Sequence, residues 1–390
     1  MLSEESLELI VQDHLAELEW VSGHGPDFAP GSGERDTWND IVLRGRLRNA
    51  VRNLNPGVPE EYLDQAIGEV ITPKSQSAIA ENRRIHQILV EGYRGIEYID
   101  YEGNVQNPTI YFLSSQPHRN DYLSLNQVTV ANLDGERRFD VVCYVNGMPL
   151  AFIELKKTGA NTSVEGAYNQ LQTYVKEFGM AFRFANIVIP SDDLSAKYGT
   201  PFTPWNHFAP WNVDEDGSPV DPNNMVVAGE PVTQLDLLLD GLFNVERFGQ
   251  LYSDFTAFDD TAEGLVMRIA KPHQYFAVTK AVGSTITAAR GDKRAGVIWH
   301  TTGAGKSMEM ELYTAKIMRR TEMHSPTVIV LNDRTELDEQ LFETFNRSTI
   351  LPEAPRNIES RAELRELLSQ KTSGGIYFST LQKFGLNGPV

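Results

Sequence analysis

The sequence predicts an α/β protein in two parts: a mixed sheet flanked by helices over residues 1–255, then the first portion of a parallel-sheet domain over 256–390. Three observations predict it. Two apolar runs flank Asn146-Gly147, the strongest short hairpin signal. The run His300-Thr301-Thr302-Gly303-Ala304-Gly305-Lys306-Ser307 sits between a short apolar run and a helical pattern. Beyond residue 256 helical segments alternate with short apolar runs, the signature of a parallel sheet.

The chain has 390 residues, 41% of them hydrophobic and 23% charged, which is ordinary for a globular protein of two or three domains. No apolar run reaches the ~20 residues that span a membrane, and the acidic N-terminus is unlike a signal or transit peptide. The one cysteine, Cys143, forms no internal disulfide and reads as a buried core thiol. These features point to the cytoplasm. The net charge of −18 excludes a surface coated with nucleic-acid-binding charge but leaves room for a local basic groove. Arg83, Arg84, Arg94, Arg137, Arg138, Lys156 and Lys157 are its candidates.

Along the chain, residues 4–20 read as an amphipathic helix with Leu7, Ile10, Val11, Leu15 and Leu18 on one stripe. A polar Gly/Pro-rich stretch follows over 22–33, then helices over 37–53 and 59–70. Residues 84–130 read as short strands broken by Gly and Asn. A strand pair follows, 139–145 and 150–156. A helix at 163–178 has Thr162 and Glu165 spaced as a capping box, and 185–189 is a buried strand. Residues 197–231, rich in Pro, Asp and Asn, hold Trp205 and Trp211 and read as a loop packed on the surface. Residues 235–248 are helical. In the second part, 296–299 and 327–331 suit central strands, and 306–320 is a helix.

The chemistry concentrates first at the hairpin. Asp140 opens one strand; Glu154 and Lys156, two apart, point to the same face of the other. A strict two-residue turn at Asn146-Gly147 would set Asp140 opposite Ile153 and Glu154 on the far face. One extra residue sets Asp140 opposite Glu154. The sequence therefore predicts a three-residue turn or a bulge. With the faces matched, two carboxylates and the Leu155 carbonyl offer oxygen ligands for Mg²⁺, which activates water and neutralises an attacked phosphate. Lys156 can orient that water or stabilise developing charge. A bare Glu-x-Lys is common and reads as well as a solvated strand end. The hairpin acid and the helical pair Gln170 and Tyr174, at i and i+4, add to it.

Asp140…Glu154-x-Lys156 resembles the PD-(D/E)xK nuclease motif. With Asn146-Gly147-Met148-Pro149-Leu150, Tyr168-Asn169-Gln170-Leu171 and Gln170-x-x-x-Tyr174, it resembles the nuclease domain of the motor subunit of type I restriction–modification enzymes. The resemblance implies Asp140 and Glu154 as metal ligands, Lys156 as catalytic lysine, and Gln170 and Tyr174 near the DNA. Phe139 stands where the motif name has Pro. The further acid that such nucleases carry on an early helix is Glu8, with Glu5 and Glu81 as alternatives.

The second constellation is the loop at 300–307. Its glycines let backbone N–H groups curl around phosphates at a helix N-terminus. Lys306 is placed for the β/γ-phosphates and Ser307 for Mg²⁺. His300 stands at the first glycine position of G-x-x-x-x-G-K-[ST]. The run Thr302-Gly303-Ala304-Gly305-Lys306-Ser307 resembles motif I of superfamily 2 helicases, which implies a RecA-like domain that binds ATP. Pro272-His273-Gln274 lies where that family places an adenine-reading glutamine, so Gln274 is either that contact or a helix-surface residue. The runs 331–340 and 379–384 resemble motifs Ia and Ib. No acidic Walker B strand follows Phe384, so this stretch is expected to bind ATP without hydrolysing it and to belong to a longer protein.

The resemblance implies double-stranded DNA as substrate, with methyltransferase and specificity subunits as partners. The alternatives are a nuclease–helicase fusion of a single-chain restriction or repair system, and a non-catalytic nucleotide-sensing module. A small-molecule kinase is disfavoured by the Ia-like and Ib-like runs and the large leading part.

Overall fold

The structure, a computed structural model, describes residues 3–133, 135–157, 163–192, 194–227, 230–332, 335–370 and 372–381. Its contacts divide the chain into two units. One runs to Ser253 and takes in Met267–Ile269; the other runs from Asp254 without those three residues.

In the first unit, α1 (Glu4–Glu17) begins at Ser3, whose hydroxyl accepts the Ser6 N–H. Its buried face is Leu7, Glu8, Val11, Gln12 and Leu15. Ile10, expected on the stripe, is 45% exposed. The 100° step per residue carries it off the arc shared by 7, 8, 11, 12 and 15, and Leu18 is the C-cap. The buried face is thus partly polar. β1 (Val21–His24) follows, then α2 (Arg44–Leu54), α3 (Glu60–Ile71) and α4 (Ala78–Glu91). The helix expected from residue 37 starts only at Arg44. The short strands expected from 84 are displaced by α4, which Ser77 caps and which buries Ile85 and Leu89, four apart. A small ribbon, β2 (Tyr98–Ile99) with β3 (Val105–Gln106), precedes the long strands β4 (Tyr122–Asn132), β5 (Gly135–Val145) and β6 (Met148–Leu155). α5 (Val164–Glu177) and β7 (Ile187–Ser191) complete the layer. Thr162 lies outside the described residues; Ser163 is the N-cap of α5, accepting the Gly166 N–H at 3.1 Å.

These strands form one five-stranded sheet in the order β1-β4-β5-β6-β7. The outer pairs are parallel and the inner pairs antiparallel. Every residue of β6 is buried, as expected for a strand covered on both faces. α1 packs on β4 and α5 on β6 and β7. Phe152, Tyr174 and Phe182 each meet Phe139 edge-on in the core.

The Trp-bearing loop is packed. Trp211 is buried against Gly241, where a Cβ would stand 2.1 Å from the indole nitrogen, and Trp205 packs on Tyr168 and Phe208. A ribbon of β8 (Val226–Val227) and β9 (Glu230–Pro231) follows. The single helix expected over 235–248 is two, α6 (Gln234–Phe243) and α7 (Val245–Asp254), broken at Asn244.

The hairpin β10 (Thr256–Thr261) and β11 (Gly264–Ile269) precedes α8 (Pro272–Arg290) and α9 (Lys306–Met318). Then come β12 (Val328–Asn332), α10 (Thr335–Arg347), β13 (Pro355–Asn357), α11 (Arg361–Gln370) and β14 (Ile376–Thr380). The last three strands form a parallel sheet in the order β12-β14-β13. Its core holds Val330, Leu341, Phe345, Ile376 and Phe378. Residues 296–299, expected as a strand, form none: Val297 is 91% and Trp299 89% exposed. Apolar pattern alone does not make a strand without a neighbouring ladder to satisfy its backbone. Among the described residues, no helix is long and apolar enough to cross a membrane.

Candidate active site

The site starts from the turn. Asn146 and Gly147 both take positive φ, 52° and 77°, the conformation of a type I′ hairpin. Asn146 is fully buried. Its amide donates to Phe112 O and Asn120 Oδ1, and its Oδ1 accepts the Asp121 N–H. A Cβ on Gly147 would meet Leu43 O at 2.4 Å, so glycine is required by both φ and space. The two-residue turn pairs Val145 with Met148 and Tyr144 with Pro149; the register then shifts, and Cys143 pairs with Ala151. This is a bulge with Leu150 as the extra residue. Val141 pairs with Ile153, so one further step sets Asp140 opposite Glu154, the relation that a shared site requires.

Glu154 is 1% exposed. Its Oε1 accepts from Lys156 Nζ at 2.7 Å, while Oε2 is buried without a hydrogen bond. Lys156 Nζ also reaches Leu155 O at 3.3 Å, and Asp140 Oδ2 accepts the Leu155 N–H at 2.8 Å. On α1, Glu8 is 2% exposed and bonded by Asn126. Its neighbours in electrostatic reach include Asp140 and Arg138. Burial, then the proximity of Asp140, pushes the Glu154 carboxyl up to about 8 despite Lys156. The same two causes push Glu8 up to about 6. Burial raises Asp140 too, against the pull of the Leu155 N–H and Lys156. Burial opposes the Lys156 ammonium, but Glu154 and Asp140 outweigh it and its pKa moves up. Asp140, Glu154 and Lys156 thus share a poorly hydrated space, with Glu8 within electrostatic reach of Asp140.

Gln170 donates to the Tyr174 hydroxyl at 2.5 Å. Tyr174 is held above its ordinary pKa by burial and by Glu154, so both Gln170 and Tyr174 border the cluster. Of the alternatives to Glu8, Glu5 is exposed and Glu81 is committed to Arg84 at 2.7 Å. Arg84 and Arg137, candidates for a basic groove, are tied to Glu81 and Glu177.

Sequence reasoning missed Asn126, Gln127 and Glu4. Gln127 takes φ +52° inside β4, at the position across from Asp140 in the β4–β5 register, and its side chain bonds Glu8. A positive φ at a non-glycine inside a strand is uncommon and clusters at functional sites, but it leaves no mark in sequence. Glu4, exposed, adds its charge to the field on Asp140 and Glu154.

In the second unit, Gly303 and Gly305 both take φ +85°, and Gly305 is the N-cap of α9. Thr302, Gly303, Gly305, Lys306 and Ser307 are exposed and Ala304 half-buried. Lys306 Nζ rests on the loop's own carbonyls, His300 O at 3.0 Å and Thr301 O at 2.8 Å. Gln274 is buried rather than on the helix surface. Its Oε1 accepts the Lys271 N–H, and its amide faces Ala304 O and Gly305 O, both at 3.3 Å. The run 331–340 joins β12 to α10 and 379–384 follows β14; Asp333, Arg334 and 382–384 lie outside the described residues.

The chain thus pairs a mixed α/β unit holding a buried acid–lysine cluster with a second unit in which a glycine-bearing loop opens a helix ahead of a parallel sheet. Residues 273–389 match the family model for the SWI2/SNF2 ATPase. Residues 1–207 match that for the type I restriction enzyme R protein N terminus, and the chain belongs to that family. It is 33% identical over 397 residues to the type I restriction enzyme HindI endonuclease subunit of Haemophilus influenzae, covering 99% of this chain and 37% of that protein. It is 32% identical over 390 residues to the putative type I restriction enzyme MjaIXP endonuclease subunit of Methanocaldococcus jannaschii, covering 95% and 36%. A Staphylococcus saprophyticus type I endonuclease subunit, SsaAORF53P, is 26% identical over 235 residues, 59% of this chain and 22% of that one. The chain spans little more than a third of the length of the first two relatives.

Proposed function

We propose that the first unit is a PD-(D/E)xK-type endonuclease that hydrolyses phosphodiester bonds of double-stranded DNA with Mg²⁺. The second unit binds ATP and Mg²⁺ through Thr302 to Ser307. The longer protein couples the two activities by translocation, working with methyltransferase and specificity subunits. One observation carries the nuclease reading: Asp140 and Glu154 face each other across the β5–β6 ladder beside Lys156, with one Glu154 oxygen buried and unpartnered and Glu8 in electrostatic reach of Asp140. Such a donor set is costly to bury without a cation and suits a hard, oxygen-seeking one.

Asp140, Glu154 and Glu8 would hold the ion, which supplies an activated water and charge neutralisation at the phosphate. Lys156 keeps one Glu154 oxygen in place and presents its ammonium at the mouth of the cluster, where negative charge develops. Arg138, exposed beside Asp140, favours the approach of a phosphate. Gln170 and Tyr174 offer a hydrogen-bonded pair to the backbone. In the second unit, adenine contact by Gln274 requires its amide to leave the two loop carbonyls, linking nucleotide binding to loop geometry.

The test is cleavage of supercoiled plasmid with Mg²⁺ or Mn²⁺, by the chain and by the longer protein with its subunits. Glu154→Ala and Lys156→Ala are expected to abolish cleavage while leaving secondary structure intact. Cleavage that survives both substitutions would refute the assignment.

A further inference from the structure

We propose that His273, His300 and Glu309 form a site for a divalent transition-metal ion of the Zn²⁺ class at the root of the 300–307 loop. The starting point is the residue that the phosphate-loop pattern does not explain, His300 in place of the first glycine. Its Nδ1 lies 2.7 Å from Glu309 Oε1. Glu309 sits in the first turn of α9 and is 2% exposed. From the first turn of α8, His273 Nε2 stands 3.9 Å from the same oxygen. One ligand atom from each residue falls within 4.8 Å of the others.

Tetrahedral bonds of about 2.1 Å to nitrogen and oxygen set ligand atoms roughly 3.4 Å apart. The separations of 2.7 and 3.9 Å bracket that value and every pair lies within 4.8 Å, so shifts of roughly 0.5 to 1.5 Å, of the size that side-chain rotation supplies, close the site. Two imidazoles and a carboxylate select Zn²⁺ or Co²⁺ over Mg²⁺, which prefers an all-oxygen shell. Three protein ligands leave a fourth position for water or a phosphate oxygen. The ligands come from α8, the loop and α9, so an ion ties the three together. His273 Nε2 is also 2.8 Å from Ala304 O. A ring nitrogen cannot donate to that carbonyl and bind a metal at once, so ligation leaves Ala304 O to the Gln274 amide alone. The site stands whether or not the loop binds ATP.

The experiment titrates Co²⁺ into the tag-free, chelator-treated chain carrying Asp140→Asn, which removes a ligand of the proposed nuclease ion. One equivalent is expected to bind with the strong visible absorption of tetrahedral Co²⁺, to be displaced by Zn²⁺, and to be indifferent to excess Mg²⁺. His273→Gln and His300→Gln, each added to this background, should weaken binding at least tenfold. His273 is about one-third exposed, so its substitution tests the site even if His300→Gln fails to fold. Absence of the visible band, or unchanged affinity in the folded His273→Gln protein, overturns the proposal.

Discussion

Asp140 stands across the ladder from Glu154 because Leu150 is an extra residue between them and the turn. With period-two side chains, removing that one residue would send Glu154 to the opposite face. The carboxylates therefore meet through a local irregularity, and their crowding has measurable consequences.

Stability and pH are linked with a definite sign. The unfolded chain gives up the Glu154 proton near 4.5; the folded chain holds it to about 8, and the Glu8 proton to about 6. The folded state therefore binds more protons across this window. The stability from these groups is complete below 4.5 and is lost as pH rises through 6 and then 8. For Glu154 the loss is on the order of 5 kcal/mol. Thermal unfolding of the metal-free chain should show Tm falling from roughly pH 5 to 9, with Glu154→Gln flattening the curve. A level Tm in the parent chain would contradict the burial argument.

Cation binding must displace those protons. Calorimetry of Mn²⁺ binding near pH 7, in buffers of differing ionisation enthalpy, is expected to report proton release, and affinity should climb with pH up to about 8. Glu154→Gln should remove both effects. Buffer-independent heats in the parent protein would count against Glu154 as a ligand.

The turn is a stability determinant. Gly147→Ala places a methyl where Leu43 O is 2.4 Å away and φ is +77°. A loss of about 2 kcal/mol or more is expected in urea unfolding. An unchanged midpoint would mean that the turn relaxes freely.

Gln127 separates strain from function. Gln127→Gly relieves a positive φ in β4 but deletes a hydrogen bond to Glu8. Stability should hold or rise by up to about 1 kcal/mol, while Mn²⁺ affinity drops several-fold. A variant that loses stability and keeps affinity would make Gln127 a merely structural residue.

Gly305→Ala tests the loop. A Cβ there would stand 2.5 Å from the Gln274 amide, at φ +85°. Binding of a fluorescent ATP analogue is expected to fall at least tenfold, as for Lys306→Ala. Undiminished binding by both variants would remove the loop from the nucleotide site.

Much was legible along the chain. The Asn146-Gly147 turn, the need for a bulge, the α5 helix, the packed tryptophan loop and the left-handed glycines Gly303 and Gly305 are local signals, decided by φ preferences and periodicity over a few residues. The short strands expected over 84–91 are a helix because burial of Ile85 and Leu89 prevailed over a weak pattern. The strand expected at 296–299 is absent because a ladder needs a partner that an apolar run cannot supply by itself.

What the sequence determined by itself was chemistry in short range: an acid before a hairpin, Glu-x-Lys after it, and glycines ahead of Lys306. Tertiary structure alone decided which distant groups join them. It set Glu8, rather than Glu5 or Glu81, within electrostatic reach of Asp140, placed Gln127 and Asn126 against it, and brought His273 to Glu309. The reason is that desolvation and Coulomb coupling depend on distance in space rather than along the chain.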